Sequence, residues 1–277
     1  MKNIYLPYGH QWIEDDDIKV VSEAIGADMI TTGPKVVEFE QKLAEYCGAK
    51  YGVVVSSGTA ALHIACLTAG IEKGDAVITS PLTFAATANV VYHCNGNVIF
   101  ADIREDTLNI DCSKLGKVLG DRCKVIIPVD FAGHPAELDE IMSLARSKGL
   151  VVIEDACHAL GSEYKGKKVG SISDMTVFSF HPVKGITTGE GGAVLTDNEE
   201  YYHKLQIFRN HGIVRRPDIS PWYYEITDLG FNYRLSDIQC ALGISQLKKL
   251  DRFIERRREI VETYNEAFGE IPEIIIP

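Results

Sequence analysis

Phe178-Ser179-Phe180-His181-Pro182-Val183-Lys184, followed by Gly189-Glu190-Gly191-Gly192, sets one lysine just past a short apolar run and beside a glycine-rich exit. A lysine at the end of a strand is held by that strand, and a held amine can do nucleophilic work, including condensation with an aldehyde. The alternative for any loop lysine is a solvated surface charge, the reading that suits Lys165, Lys167 and Lys168. Lys184 differs from them in its company, because other strand ends carry residues of complementary chemistry.

Ser56-Ser57-Gly58-Thr59-Ala60-Ala61-Leu62 leaves an apolar run and enters a helical pattern, placing hydroxyls and backbone N–H groups at a helix start. Such a start suits a phosphate. It is equally what an ordinary capped helix looks like. Neither a Gly-x-x-x-x-Gly-Lys-Ser/Thr loop nor a Gly-x-Gly-x-x-Gly turn is present, so both common nucleotide fingerprints are missing. Val151-Val152-Ile153-Glu154-Asp155-Ala156-Cys157-His158 ends an apolar run in carboxylates, and Asp155 could hold a proton on a heterocyclic nitrogen. A structural metal is the rival use, but strand alternation sends Glu154 and Asp155 to opposite faces, and no second His/Cys cluster completes a tetrahedral set. Phe84, in Pro81-Leu82-Thr83-Phe84-Ala85-Ala86-Thr87-Ala88-Asn89, either stacks on a flat ligand or packs in the core. An aldehyde-trapping amine, a carboxylate for a ring nitrogen, an aromatic face and a phosphate cradle together match pyridoxal 5′-phosphate.

The elements that must position these groups are legible as a pattern. Apolar runs at 51–55, 75–79, 97–101, 124–130, 150–154, 175–180 and 192–196 alternate with helical segments, which predicts an α/β fold with a mostly parallel sheet. Ligands of such sheets bind beyond the carboxyl ends of the strands, where Ser56 to Thr59, Ser80 to Phe84, Asp102, Asp130, Asp155 and Lys184 fall. Two short helices precede the sheet, one through Ile18, Val21, Ala24 and Ile25, the other opened by Pro34 and running through Val37, Phe39 and Leu43 to Tyr46. After about residue 234 the pattern reads as one long helix carrying Leu235, Ile238, Leu242, Leu247, Leu250, Phe253 and Ile254. The expected division is a helical segment over 1–50, a ligand-binding α/β domain over 51–235, and a helix over 236–277. Because Ile274-Ile275-Ile276-Pro277 reads as the beginning of something further, a C-terminal small domain is expected and expected to be largely absent.

The composition narrows the partners. The 277 residues are 45% apolar and 24% charged, an ordinary soluble mixture, and the net charge of −11 argues against nucleic acid as a general partner. Seven cysteines without a CxxC pair read as reduced thiols of a cytoplasmic protein. The acidic start Glu14-Asp15-Asp16-Asp17 is unlike a secretory leader, and no run approaches the roughly 18 apolar residues of a membrane span. Asp15-Asp16-Asp17 invites comparison with the Asp-x-Asp metal site of a glycosyltransferase, but acids at a helix start are favoured by the helix dipole alone.

These segments make the chain resemble the pyridoxal-phosphate-dependent sugar aminotransferases of the DegT/DnrJ/EryC1/StrS family, from Tyr8 to about residue 260. Thr32-Gly33-Pro34, Phe100-Ala101-Asp102-Ile103, Val129-Asp130-Phe131-Ala132-Gly133, Arg209-Asn210-His211-Gly212 and Asn232-Tyr233-Arg234-Leu235 extend the match. The resemblance implies a PLP fold type I large domain, aspartate aminotransferase-like, in a homodimer with shared active sites. It implies that Lys184 forms the internal aldimine and moves the proton, that Asp155 pairs with the pyridine nitrogen, and that Phe84 stacks on the ring with His158 in support. It further implies Gly58, Thr59 and Ser179 on the phosphate, Ser57 beside them among the cofactor-binding residues, and Asn232 supplied by the neighbouring subunit. The stretch from Ser179 to Gly192 is most similar to the branch that aminates C4 of a UDP-linked 4-keto-6-deoxy-N-acetylhexosamine on the way to pseudaminic acid, with glutamate as donor. In that branch, positions matching Tyr8 and Thr31 approach the sugar nucleotide. The alternatives are a dehydrase of the same fold, which uses pyridoxamine phosphate and a histidine in place of the lysine, and a truncated non-catalytic remnant.

Overall fold

The structure is a computed structural model that describes residue 7 and residues 9–276. The apolar runs become β1 (Tyr51–Val55), β2 (Ala76–Thr79), β3 (Asn97–Phe100), β4 (Cys123–Ile127) and β5 (Val151–Asp155), then β8 (Met175–Ser179) and β9 (Gly192–Thr196), in one seven-stranded sheet ordered β1-β9-β8-β5-β4-β2-β3. Two short ladders that carry too few residues to show a period lie outside it: β6 (Glu163–Tyr164) with β7 (Lys167–Lys168), and β10 (Ile213–Arg215) with β11 (Tyr224–Ile226).

Near-continuous apolar strands require cover on both faces, and the pleat sorts their residues accordingly. Val53, Val77, Val125, Ile153, Val177 and Val194 turn to one face, under α3 (Gly58–Thr68), α4 (Ala85–His93) and α7 (Glu199–Arg209). On the other face Val54, Phe178 and Leu195 meet α2 (Pro34–Cys47) and α8 (Asp237–Leu247), while Ile78, Ile126 and Val152 meet α5 (Cys112–Val118) and α6 (Leu138–Lys148). The expected α/β architecture is therefore a three-layer one.

The sheet is mostly parallel, with one reversal. β9 runs antiparallel to both β1 and β8, whereas the remaining pairs are parallel. Six strands consequently point their carboxyl ends at one rim, and β9 begins there at Gly192.

The single long helix expected after residue 234 is two helices, α8 and α9 (Leu250–Phe268). At the junction the Lys249 N–H donates to the Gln246 carbonyl at 3.0 Å, a tightened turn that re-aims the axis. Lys249 is drawn back to α1 (Asp15–Ile25), where its Nζ lies 2.7 Å from both Asp16 and buried Asp17. The apolar period continues through the kink, so the pattern alone does not reveal it. Those acids are thus committed to a lysine, and the Asp17 carboxylate also caps α1 by accepting from the Glu14 N–H at 3.0 Å. Among the described residues no helix is long and apolar enough to cross a membrane.

Phe39 of α2 is fully buried, 5.2 Å centroid to centroid from Phe180, and α8 approaches it so closely that a Cβ on Gly243 would lie 2.5 Å from its Cζ. Truncation there empties the layer between α2, α8 and the lysine strand. Phe39→Ala is expected to cost about 3–5 kcal/mol, read as a lowered urea midpoint, and an unshifted midpoint would contradict this packing.

Candidate active site

A cleft of about 750 Å³ opens at the carboxyl rim. Ser57, Gly58 and Thr59 enter it after β1, Phe84 and Thr87 after β2, Asp130 after β4, Asp155 at the end of β5 with His158 beyond it, and Ser179 at the end of β8 with Lys184 beyond it. Residues more than a hundred positions apart in the chain thereby share one wall.

The first corner depends on hydrogen in place of a side chain. A Cβ on Gly58 would sit 2.9 Å from the Ser179 Cβ and 3.3 Å from the Cys157 Sγ, and one on Gly192 would meet the Ser57 backbone at 2.6 Å. Two glycines therefore let β1, β8 and β9 end against one another. Ser57 caps α3, its Oγ accepting from the Ala60 N–H at 3.0 Å, while among the described residues the N–H groups of Gly58 and Thr59 donate to no protein atom. The two readings of this segment hold together: it is a capped helix start, and two donors remain free at its positive end for an anion.

Lys184 stands on a tight turn. Its N–H donates to the His181 carbonyl at 2.9 Å, and the segment is tied back by Thr188 N–H to the Phe180 carbonyl at 3.1 Å and by Phe180 N–H to the Gly191 carbonyl at 2.9 Å. Opposite it, Asp155 is buried, accepting from the Thr87 Oγ1 at 2.7 Å and from the Cys157 N–H at 3.3 Å. Since the Thr87 hydroxyl gives its only proton to Asp155, its 2.7 Å contact with Thr83 must be donated by Thr83. Thr87 was not among the expected site residues. Its signal was the helical spacing, three residues after Phe84 and on the same side of α4.

Phe84 is 77% exposed, which rules out the core reading and leaves its ring free at the cleft. Burial of part of the His158 ring, then the nearby Lys184 charge, lowers the His158 pKa, so the imidazole is neutral at neutral pH. Burial and the Asp155 charge hold the Cys157 thiol well above its usual range, as a neutral wall of the cleft.

Two expected residues lie elsewhere. Asn232 is exposed, bridged to Asn210, and does not line its own chain's cleft. Thr31 is also exposed and off the cleft, because its backbone pairs with Ser236 at the start of α8. Tyr8 lies outside the described residues.

Behind Asp155, on the opposite face, Glu154 is fully buried and accepts from Ser173 and Thr176, each at 2.9 Å. Asp130, equally hidden, accepts from the Ala136 N–H at 3.0 Å. Among the described residues the remaining oxygens, Asp130 Oδ2 and Glu154 Oε1, have no hydrogen-bond partner unless a proton lies between the two carboxyls. Burial raises both pKa values, and for Asp130 the Glu154 charge raises it further. A proton shared between the carboxyls satisfies both orphaned oxygens.

Residues 11–277 match the model of the DegT/DnrJ/EryC1/StrS aminotransferase family. A Campylobacter jejuni protein named UDP-4-amino-4,6-dideoxy-N-acetyl-beta-L-altrosamine transaminase is 48% identical over 266 residues, covering 95% of this chain and 69% of the relative. Among solved structures, Helicobacter pylori PseC, described as an aminotransferase involved in the biosynthesis of pseudoaminic acid, aligns at a TM-score of 0.92 and 36% identity over 97% of this chain and 72% of its own. The PLP-form of Spr1654 from Streptococcus pneumoniae aligns at 0.91 and 32% identity, over 96% and 72%.

The acid pair makes stability fall with pH. The folded state keeps a proton that the unfolded carboxyls release near about pH 4, so the pair's stabilisation is complete below that value and is lost as pH rises towards the raised folded values. Glu154→Gln substitutes a permanent amide donor for the shared proton. The melting temperature of this variant is expected to fall less than that of the natural chain between about pH 5 and about pH 8, and parallel curves would argue against a shared proton.

Proposed function

The chain belongs to the DegT/DnrJ/EryC1/StrS aminotransferase family, and from that premise we propose that it moves an amino group from glutamate to C4 of a UDP-linked 4-keto-6-deoxy-N-acetylhexosamine. The observation that carries the reading is one cleft rim bearing the Lys184 amine, the buried Asp155 carboxylate and the free amino end of α3. The substrate class is supported by the named activity of the Campylobacter jejuni relative and by the pathway named for PseC.

The cofactor is pyridoxal 5′-phosphate, as it is for this family. The residues present fit it: a carboxylate for the ring nitrogen, an exposed aromatic face at Phe84, and a phosphate corner that a Cβ at Gly58 would fill. Gly58 and Thr59 would donate their free backbone N–H groups there, with the Ser179 and Ser57 hydroxyls beside them. When bound, the cofactor supplies an aldehyde carbon for an amine and a ring that withdraws electrons.

Everything else is the work of this chain's side chains. Lys184 would hold the cofactor aldehyde through its amine and would serve as the base that takes and returns the proton at the carbon bearing nitrogen. Asp155, fixed by Thr87 and the Cys157 N–H, would stabilise positive charge on the ring nitrogen. The neutral His158 ring supports that end of the cleft. Asn232, exposed and away from its own cleft, supports a homodimer in which each copy completes the other's site. Residues 51–235 form the cofactor-binding domain in this reading, flanked by the 1–50 helices and by the 236–277 segment. Seven free cysteines support a reducing, cytoplasmic setting. A dehydrase of this fold would need histidine where Lys184 stands.

Borohydride treatment of the cofactor-loaded protein, then peptide mapping, is expected to place a pyridoxyl group on Lys184 and on no other lysine. Glutamate should bleach the long-wavelength cofactor band and release 2-oxoglutarate. Lys184→Ala is expected to lower turnover by about a thousandfold or more with an unchanged circular dichroism spectrum, and retained turnover in that variant would overturn the assignment.

A further inference from the structure

Beyond the kink at Lys249, α9 presents Leu250, Ile254 and Arg257 along one stripe, the i, i+4, i+7 spacing of a helix face. Leu250 is fully buried, and a Cβ on Gly185 would lie 3.5 Å from its Cδ1. Ile254 comes so near Gly161 that no Cβ fits between them. Arg257 is next on the stripe and reaches the lysine turn: its Nη2 donates to the Lys184 carbonyl at 3.2 Å and its Nη1 to the Gly185 carbonyl at 3.3 Å. Among the described residues no other donor meets either oxygen. The N–H side of the turn closes on the His181 carbonyl, whereas the Lys184 and Gly185 carbonyls are met, among the described residues, by Arg257 of α9 alone.

We propose that Arg257 is a positioning residue for Lys184: one guanidinium grips the two successive carbonyls that follow the lysine strand and fixes the backbone from which the amine enters the cleft. The residue type suits the task. A guanidinium is a rigid fork with five donors, able to hold two carbonyls at once, whereas a lysine there would be a single mobile point. Leu250 and Ile254 seat the helix that carries the fork, and the ion pairs of Lys249 with Asp16 and Asp17 fix where that helix begins. The seating of α9 and the placement of the reactive amine are thereby coupled. Arg256 provides the internal contrast, since it is exposed, as Arg257 is, but pairs with Glu259 on its own helix. The proposal rests on the reading of Lys184 as the reacting amine.

The test compares the full chain with Arg257→Ala, Arg257→Lys and Arg256→Ala. Deuterium exchange over residues 180–190, measured without cofactor, reports the turn itself. Arg257→Ala is expected to speed exchange at the Lys184 and Thr188 amides by about tenfold, with Arg257→Lys between it and the natural chain and Arg256→Ala unchanged. In the loaded enzyme Arg257→Ala should lower kcat by about tenfold, leave KM for glutamate within about twofold, and shift the pH midpoint of the cofactor band, with partial rescue by Arg257→Lys. Unchanged exchange, unchanged kcat, or an Arg256→Ala effect of equal size overturns the proposal. A natural chain that carries no pyridoxyl group on Lys184 would instead refute the assignment of that lysine, while the cofactor-free exchange would still decide whether Arg257 holds the turn.

Discussion

The structure depends on one reversed strand that runs between two others of the opposite sense. β9 lies antiparallel between β1 and β8, so those two strands end at the same rim, and Gly192 begins β9 there against the Ser57 backbone. Only hydrogen fits at Gly58 and at Gly192. Were either contact opened, the amino end of α3 would move away from Ser179 and Cys157, and the free N–H groups of Gly58 and Thr59 would no longer face the cleft that holds Lys184. The glycines there serve close approach of backbones, and a side chain could not substitute for them.

Two adjacent carboxylates show how a strand divides chemistry between its faces. Asp155 turns to the cleft and receives a hydroxyl and a backbone N–H, while Glu154 turns inward and meets two hydroxyls and a second acid. Two buried charges so near each other repel and lack solvent, so a shared proton is the economical state. Asp155 thus keeps its two hydrogen-bond donors, the Thr87 hydroxyl and the Cys157 N–H, apart from that acid pair. The backbones are tied as well, since the Asp130 N–H donates to the Asp155 carbonyl at 3.1 Å.

That these residues would gather at one cleft was legible because each stands at the end of a compact apolar run or just past it. Lys184, Asp155, Ser57 to Thr59 and Ser179 all stand where the runs stop, and a parallel sheet gathers such positions. Thr87 escaped notice because an alanine-rich helix start carries no demand for a hydroxyl until its partner is known. Arg257 was one charge among many on an exposed helix, and nothing in a run of three arginines marks the one that turns back. Thr31 was placed near the substrate through resemblance, but backbone pairing with Ser236 holds it away from its own cleft. The kink before α9 left the apolar period intact, because the force that bends the chain there acts from α1, more than two hundred residues away.

The sequence by itself determined the layered α/β class, the strand positions and the side-chain chemistry at their ends, since these follow from local period and residue type. The tertiary structure alone decided the direction of β9, which two of the buried acids become partners, and which arginine meets the lysine turn. Those outcomes depend on distances between segments far apart in the chain, and spacing along a sequence carries no information about such distances.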